Sequence, residues 1–323
     1  MPKSLKASLL VSVAPFVFAL GVSAAAQEET KPAEQPAAEQ PAAEEVKDER
    51  VVVTAAKRAQ YAQDVPASIA AIGGADIARK GINELSDYIT AVPGISYDFS
   101  QGPTGARGRQ TVGIRGLSRF SGLTANTVGF YIDETPIDIA NPDIFDLNRI
   151  EVLRGPQGTL YGAGSVGGTI KLITNQPDPS RFAFALDGGL SQVADGDLGG
   201  RFNQMINLPL VEGMAALRAV GSIREDAGWI DNYNQLGVQT GEDINSGGGQ
   251  GARAAILIQP TSALKITPSV MYHRLAYDSE QNFVVGVPGL PERAKNEFLP
   301  TESEEEFILA GVTVGYNFGA VEL

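Results

Sequence analysis

The side chains able to do chemistry are few, and their spacing excludes most catalytic classes. His273 is the only histidine and there are no cysteines. Disulfides, thiolate metal sites, cysteine nucleophiles and the two-histidine HExxH zinc motif are therefore excluded. A serine nucleophile at a turn such as Gly116-Leu117-Ser118 would have His273 alone as its base, which makes a Ser/His/Asp triad a poor reading. The acidic residues are scattered and none form an EF-hand loop, so neither a metal nor a cofactor is expected. Gly162-Ala163-Gly164-Ser165-Val166-Gly167 matches GxGxxG. That fingerprint works only between a strand and a helix whose N-terminus meets a pyrophosphate. Here Thr169 to Thr174 is β-branched and alternating, and Pro177 closes it. The glycines serve tight packing instead, and an enzyme is the weakest class.

Two other features carry more. Glu49-Arg50-Val51-Val52-Val53-Thr54-Ala55 is an abrupt β-branched run with no strand pattern immediately before it. It can add to a sheet edge elsewhere, in this chain or in another protein, or be the first strand of the following domain. The pattern leaves these readings open. Arg115 and Arg154 each precede a glycine, in Ile114-Arg115-Gly116 and Leu153-Arg154-Gly155. Taken alone, each reads as a surface charge beside a turn.

The elements that must position these residues begin with an export signal. Lys3 and Lys6 precede an apolar stretch from Leu9 to Val22, and Ser23-Ala24-Ala25-Ala26 supplies small residues for cleavage after Ala24 or Ala26. That stretch is short for a spanning helix, which needs about 20 apolar residues, so residues 1–26 read as a cleaved signal peptide. Residues 27–48 are an Ala/Pro/Glu tract too polar to order itself, hence a disordered, charged tether. The net charge of −13 argues against nucleic acid as a partner.

From Tyr61 to about Pro177 short helix and strand signals alternate. Ser68 to Ile72 reads as a strand, Gly74 to Gly81 as helical turns, and Asn83 to Ile89 as a second helix ending before Pro93-Gly94. Strands follow at Val112–Arg115, Thr127–Ile132, Ile150–Leu153 and Thr169–Thr174. This predicts an α+β domain. After Pro177 come about six strands of roughly ten residues, alternating apolar and polar, with short turns at one end and long polar loops at the other. Phe182, Phe184, Leu186 and Leu190 share one face, while Arg218, Arg253 and His273 fall on polar faces. That is the pattern of an antiparallel transmembrane β-barrel, preferred over a soluble sandwich because of the export signal and loop asymmetry.

The block Asn148-Arg149-Ile150-Glu151-Val152-Leu153-Arg154-Gly155-Pro156-Gln157-Gly158-Thr159-Leu160-Tyr161-Gly162 strongly resembles the plug of TonB-dependent outer-membrane receptors. Val65-Pro66-Ala67-Ser68-Ile69, Leu85 to Gly94, Ile114-Arg115-Gly116, Tyr131 to Pro136 and Gly167-Gly168-Thr169-Ile170 agree in order and spacing. The resemblance covers residues 49–178 and continues to Ala227-Gly228-Trp229-Ile230-Asp231-Asn232 in the barrel.

The resemblance implies a TonB box at 49–56, with Glu49, Arg50, Val51, Val52, Val53, Thr54 and Ala55 captured by the TonB energy-coupling protein through strand addition. It implies a plug at 57–178, followed by part of a barrel at 179–323, in the outer membrane of a Gram-negative bacterium. Arg115 and Arg154, with Glu151, match plug residues that lock the plug to acidic groups on the barrel wall. Tyr97, Phe99, Arg107, Arg109, Arg119 and Phe120 are candidates to line the outer, ligand-facing plug surface. The implied function is uptake of a scarce nutrient, first an iron–siderophore complex, with cobalamin, haem or glycans as alternatives. The family barrel has about 22 strands, so the chain reads as truncated, and a non-transporting fragment or plug-type binding module is the competing expectation. A signalling receptor is disfavoured, because the tract before the box is too short and polar to fold.

Overall fold

In the computed structural model, residues 52–54, 57, 60–65, 67–82, 87–89, 92–98, 111–117, 127–137, 145–162, 164–279, 283, 289–292, 294–299 and 302–319 are described. The expected signal peptide, tether and second helix's first turn (83–86) lie outside them, as do Glu49, Arg50, Val51, Ala55, Phe99, Arg107, Arg109, Arg119 and Phe120.

The first part of the fold is built from short elements. They are β1 (Val52–Val53), β2 (Gln60–Tyr61), β3 (Ser68–Gly73), α1 (Gly74–Lys80), β4 (Ile95–Asp98), β5 (Thr111–Ile114), β6 (Val128–Ile132), β7 (Thr135–Ile137), β8 (Leu147–Arg154), α2 (Gly158–Tyr161) and β9 (Gly168–Thr174). Helix α1 carries Asp76 in its first turn and Arg79 and Lys80 in its last, each suited to the nearer end of the helix dipole. It stops at Gly81, whose φ of 64° is left-handed. The amide of Ile82 then returns to Ile77 O, the bond that closes a Schellman cap.

Five strands form a mixed sheet in the order β3-β8-β9-β6-β7. Only β9 and β6 run parallel. Ile150 and Val152 of β8 and Ile170 and Leu172 of β9 face one core with Ile72, Ile77, Tyr88 and Val92. Leu153 faces a second core with Val53, Val65, Tyr131 and Tyr161. Strands covered on both faces are normally apolar throughout. Glu151 and Lys171, paired across β8 and β9, break that rule while fully buried.

The second part is a six-stranded antiparallel sheet, here called the wall. Its strands are β10 (Ala183–Gln192), β11 (Leu198–Val211), β12 (Ala215–Asp226), β15 (Gly247–Thr261), β16 (Leu264–Tyr277) and β18 (Ser303–Tyr316), hydrogen-bonded in that order. Each meets the length a tilted membrane strand needs, about 9–11 residues. Side chains alternate as the sequence indicates. Phe184, Leu186, Leu190, Ile308, Val312 and Val314 are exposed on one face, while Asn207, Arg218 and His273 on the other are buried. Met271, Phe307 and Leu309 pack against the first core of the mixed sheet, so the wall completes the plug's interior. Among the described residues no helix is long and apolar enough to cross a membrane.

Wall connections are tight at one end, between β11 and β12 and between β15 and β16; at the other, β10 and β11 are joined by a short turn while the β12–β15 and β16–β18 connections are long. The long loops fold on each other. They contribute β13 (Asp231–Tyr233), β14 (Gln239–Gly241) and β17 (Ala294–Lys295) to a small sheet ordered β14-β13-β17. Asn232 pairs with the Glu297 backbone like a peptide group, donating to its O at 2.9 Å and accepting from its N at 2.8 Å. Asn245 Oδ1 accepts the amides of Trp229 and Ile230.

Candidate functional site: a docked strand and a plug–wall clamp

The described part of the β-branched run, Val52 to Thr54, finds partners within the chain. Val52 and Val53 pair with Tyr61 and Gln60, and Val53 is fully buried in the second core. Thr54 then meets the two buried charges. Its amide donates to Glu151 Oε1 at 2.8 Å and its hydroxyl to the same oxygen at 3.3 Å. Arg149 Nε donates to that carboxylate at 2.7 Å, and Lys171 Nζ donates to Thr54 Oγ1 at 3.2 Å and to Glu134 Oε1 at 2.8 Å. Lys57 reaches Glu134 Oε2 at 2.5 Å and lies over the Tyr161 ring at 4.6 Å. Burial works to raise the pKa of Glu134, but hydrogen bonds and charge from Lys171 and Lys57 outweigh it and hold the carboxyl below its usual range. A short extended segment is thus seated on the plug through two side chains and one carboxylate.

Arg115 is exposed in a left-handed turn (φ 55°), its amide donating to Gly94 O. Arg154 is half-buried beside the first core, and its Nε has no hydrogen-bond partner. Among the described residues neither forms an ion pair. Glu151 faces Thr54 and Arg149 rather than the wall. Tyr97 lies on β4 opposite Val112.

Among the described residues, what joins plug to wall through charge is Asp146, just before β8. One of its oxygens accepts from Arg218 Nε at 2.7 Å and Arg253 Nη2 at 2.5 Å. The other accepts from Arg218 Nη2 and from Asn175 Nδ2. The Asp146 side chain is 4% exposed, those of Arg218 and Arg253 10% and 9%. A carboxylate bridging two guanidiniums with every bond charge-assisted is strong and directional. The polarity is opposite to the expected lock, with the acid on the plug and the bases on the wall. Strand alternation had put both arginines on the inner face, but no local pattern marks Asp146 in its connection. His273, on the same inner face, is buried against Phe307 with ring centroids 5.2 Å apart. In the GxGxxG stretch the short helix α2 comes before the glycines and strand β9 after them, the reverse of a nucleotide site.

A small α+β domain seated against an antiparallel sheet whose outer face is apolar and exposed is the arrangement of a plug with its barrel wall. Residues 62–169 match the family described as the TonB-dependent receptor plug domain. The chain is 33% identical over 138 residues to the iron-regulated outer membrane virulence protein of Vibrio cholerae, covering 40% of this chain and 20% of that one. It is 30% identical over 146 residues to the pesticin receptor of Yersinia pestis, covering 44% and 21%. Among solved structures, the FpvAI–pyocin S2 complex superposes with a TM-score of 0.66 at 19% identity, over 83% of this chain and 35% of that one. The ferric yersiniabactin uptake receptor FyuA of Yersinia pestis gives 0.62 at 20% identity, over 78% and 39%. The match thus spans about a fifth of the length of those two curated relatives. One is named as an outer membrane protein and the other as a receptor, and the apolar outward face of the wall suits such a bilayer.

Proposed function

We propose that this chain serves a TonB-dependent receptor that actively takes up a scarce nutrient, most simply an iron–siderophore complex. In this reading residues 1–26 direct export, 27–48 form the tether, and 49–56 are the box, with Glu49 to Ala55 captured by TonB. Residues 57–178 are the plug and 179–323 the barrel portion. The observation that carries it is the seating of Val52 to Thr54 on the plug through a few breakable polar bonds. Such a segment can exchange its own chain's partners for those of an added strand. Arg115 and Arg154 belong to the lock in this proposal, awaiting acidic partners, and Tyr97, Phe99, Arg107, Arg109, Arg119 and Phe120 face the ligand. The names of the Vibrio cholerae relative and of the ferripyoverdine receptor of Pseudomonas aeruginosa support iron as the cargo metal. A vitamin B12 transporter of Vibrio vulnificus, 33% identical over 141 residues, keeps cobalamin as the second reading.

Val52→Pro tests the box, because proline removes an amide and resists strand pairing. Energised uptake should be abolished while ligand binding to cells is retained. Uptake at the wild-type rate would remove the box assignment. Recovery of the protein wholly in the soluble periplasm would instead favour a free plug-type binding module.

A further inference from the structure

The clamp at Asp146 has the build of a ligand site whose ligand happens to be part of the chain. Arg218 lies on β12 and Arg253 on the neighbouring β15, offset by two residues through the pairs Arg218↔Ala255 and Val220↔Arg253. Both therefore project from the same wall face, and both side chains are nine-tenths buried. Among the described residues their one ion-pair partner is Asp146. The neighbouring carboxylate of Asp133 is already occupied by the amide and hydroxyl of Thr174, both at 2.9 Å.

Two buried guanidiniums held side by side repel each other, and leaving them uncompensated is costly. The fold meets this with a carboxylate brought from another domain. Asp146 holds it there in a left-handed backbone conformation (φ 60°), a conformation that is strained for a residue bearing a Cβ. Its backbone is tied to Asn175, whose amide donates to Asp146 O at 3.1 Å and whose own O accepts from Arg253 Nη1 at 3.2 Å. The wall arginines are thus fixed by their strands, while the acid arrives on a strained corner. If that corner moves, the arginines stay and the acid leaves.

We propose that Arg218 and Arg253 form a carboxylate-binding site on the wall, that Asp146 is its resident occupant, and that a soluble carboxylate takes the place when the plug corner is displaced. The chemistry recognised is a planar carboxylate, which two forked donors match better than a spherical halide. Arg218 is three residues into β12 from its tight-turn end, near where the plug's chain enters the wall at Ala183. The site is therefore on the side of the wall that a ligand would reach after passing the plug. This last step rests on the uptake reading, which alone supplies a displaced plug; the site itself does not.

The test removes the occupant without moving the plug. Asp146→Gly leaves a cavity at the carboxylate and suits the positive φ. In the purified protein in detergent, the D146G variant should unfold at lower temperature than wild type. Sodium formate should raise its midpoint while sodium chloride at equal ionic strength does not, and wild type should respond to neither. The combination of D146G with R218Q and R253Q should lose the formate response. A D146G variant that formate does not shift, or a shift that survives loss of both arginines, overturns the proposal. If D146G does not fold in chloride, refolding yield becomes the readout: recovery in formate supports the site, and failure in both salts overturns it. Uptake enters none of these measurements, so Val52→Pro and D146G can fail independently.

Discussion

Tyr88 illustrates how much a single side chain constrains the plug. It is fully buried in the first core, and its hydroxyl has no hydrogen-bond partner. Burial pushes its pKa well above the usual tyrosine value, partly opposed by the charge of Arg154. The sign of the pH dependence follows. Below pH 10.0, the ordinary value, the phenol is neutral in both states. As pH rises past that point the unfolded chain ionises first, so the plug loses stability. Tyr161 is raised for the same first reason, burial, and adds to the effect. Tyr88→Phe should therefore stabilise the plug by about 1 kcal/mol and flatten the alkaline loss, read as urea midpoints on either side of pH 10. A destabilised variant would show that the hydroxyl is bonded in solution. At this scale the sequence was legible in part. Motif order brought out Arg154 and Glu151; the structure half-buries the first and fully buries the second, but it turns Glu151 to Thr54 rather than to the wall. Asp146 was not legible, because an acid in a patternless connection acquires meaning only when two distant strands bring arginines to it.

Among elements, β8 and β9 were the most legible, since β-branched runs between glycine turns leave little alternative. Their junction also depends on one backbone position. Gly168 has φ 154°, and a Cβ there would lie 2.3 Å from Leu153 O. Gly168→Ala should separate β8 from β9 at that rung and cost roughly 3 kcal/mol, measured by the plug's urea midpoint; a loss below roughly 0.5 kcal/mol would mean the backbone relaxes freely. The docking network makes a second demand at this level. Glu134 titrates below its usual range, so the hold of Lys57 and Lys171 on it is present above the ordinary carboxyl value of 4.5. It is lost as pH falls further, through the depressed value. The amides from Val52 to Thr54 should then show smaller hydrogen-exchange protection factors below that value than above it. What the sequence could not show was pairing partners. That β1 meets β2, and that β13 meets β17 across two loops, depends on tertiary placement that no local pattern encodes.

On the scale of the whole molecule, the wall was legible because alternation reports which face is apolar and exposed. Its inner face was less so. The apolar cluster of Met271, Phe307 and Leu309 that packs on the plug's core breaks a simple polar-inside rule. The lipid face yields its own prediction. Val312 is exposed at mid-strand in β18, and a charge at the bilayer midplane costs about 2–4 kcal/mol. Val312→Arg should lower stability in lipid vesicles by that amount and leave the detergent-solubilised plug unchanged. Equal stability in vesicles would mean that this face does not contact hydrocarbon.

The bridge between Asp231–Asn232 and Ala294–Lys295 also changes the polymer physics of the wall's open end. Two loops anchored only at their feet would be separate chains, each free to explore a wide volume. Joined at one rung and by the Asn232–Glu297 pair, they become a single closed circuit through β15 and β16, with shorter free contours on either side of the knot. Closing such a circuit costs entropy that grows only logarithmically with contour length, so a handful of bonds can sustain it. A visiting molecule then meets a surface whose configurational search is already narrowed, and it loses less entropy in ordering that surface on contact.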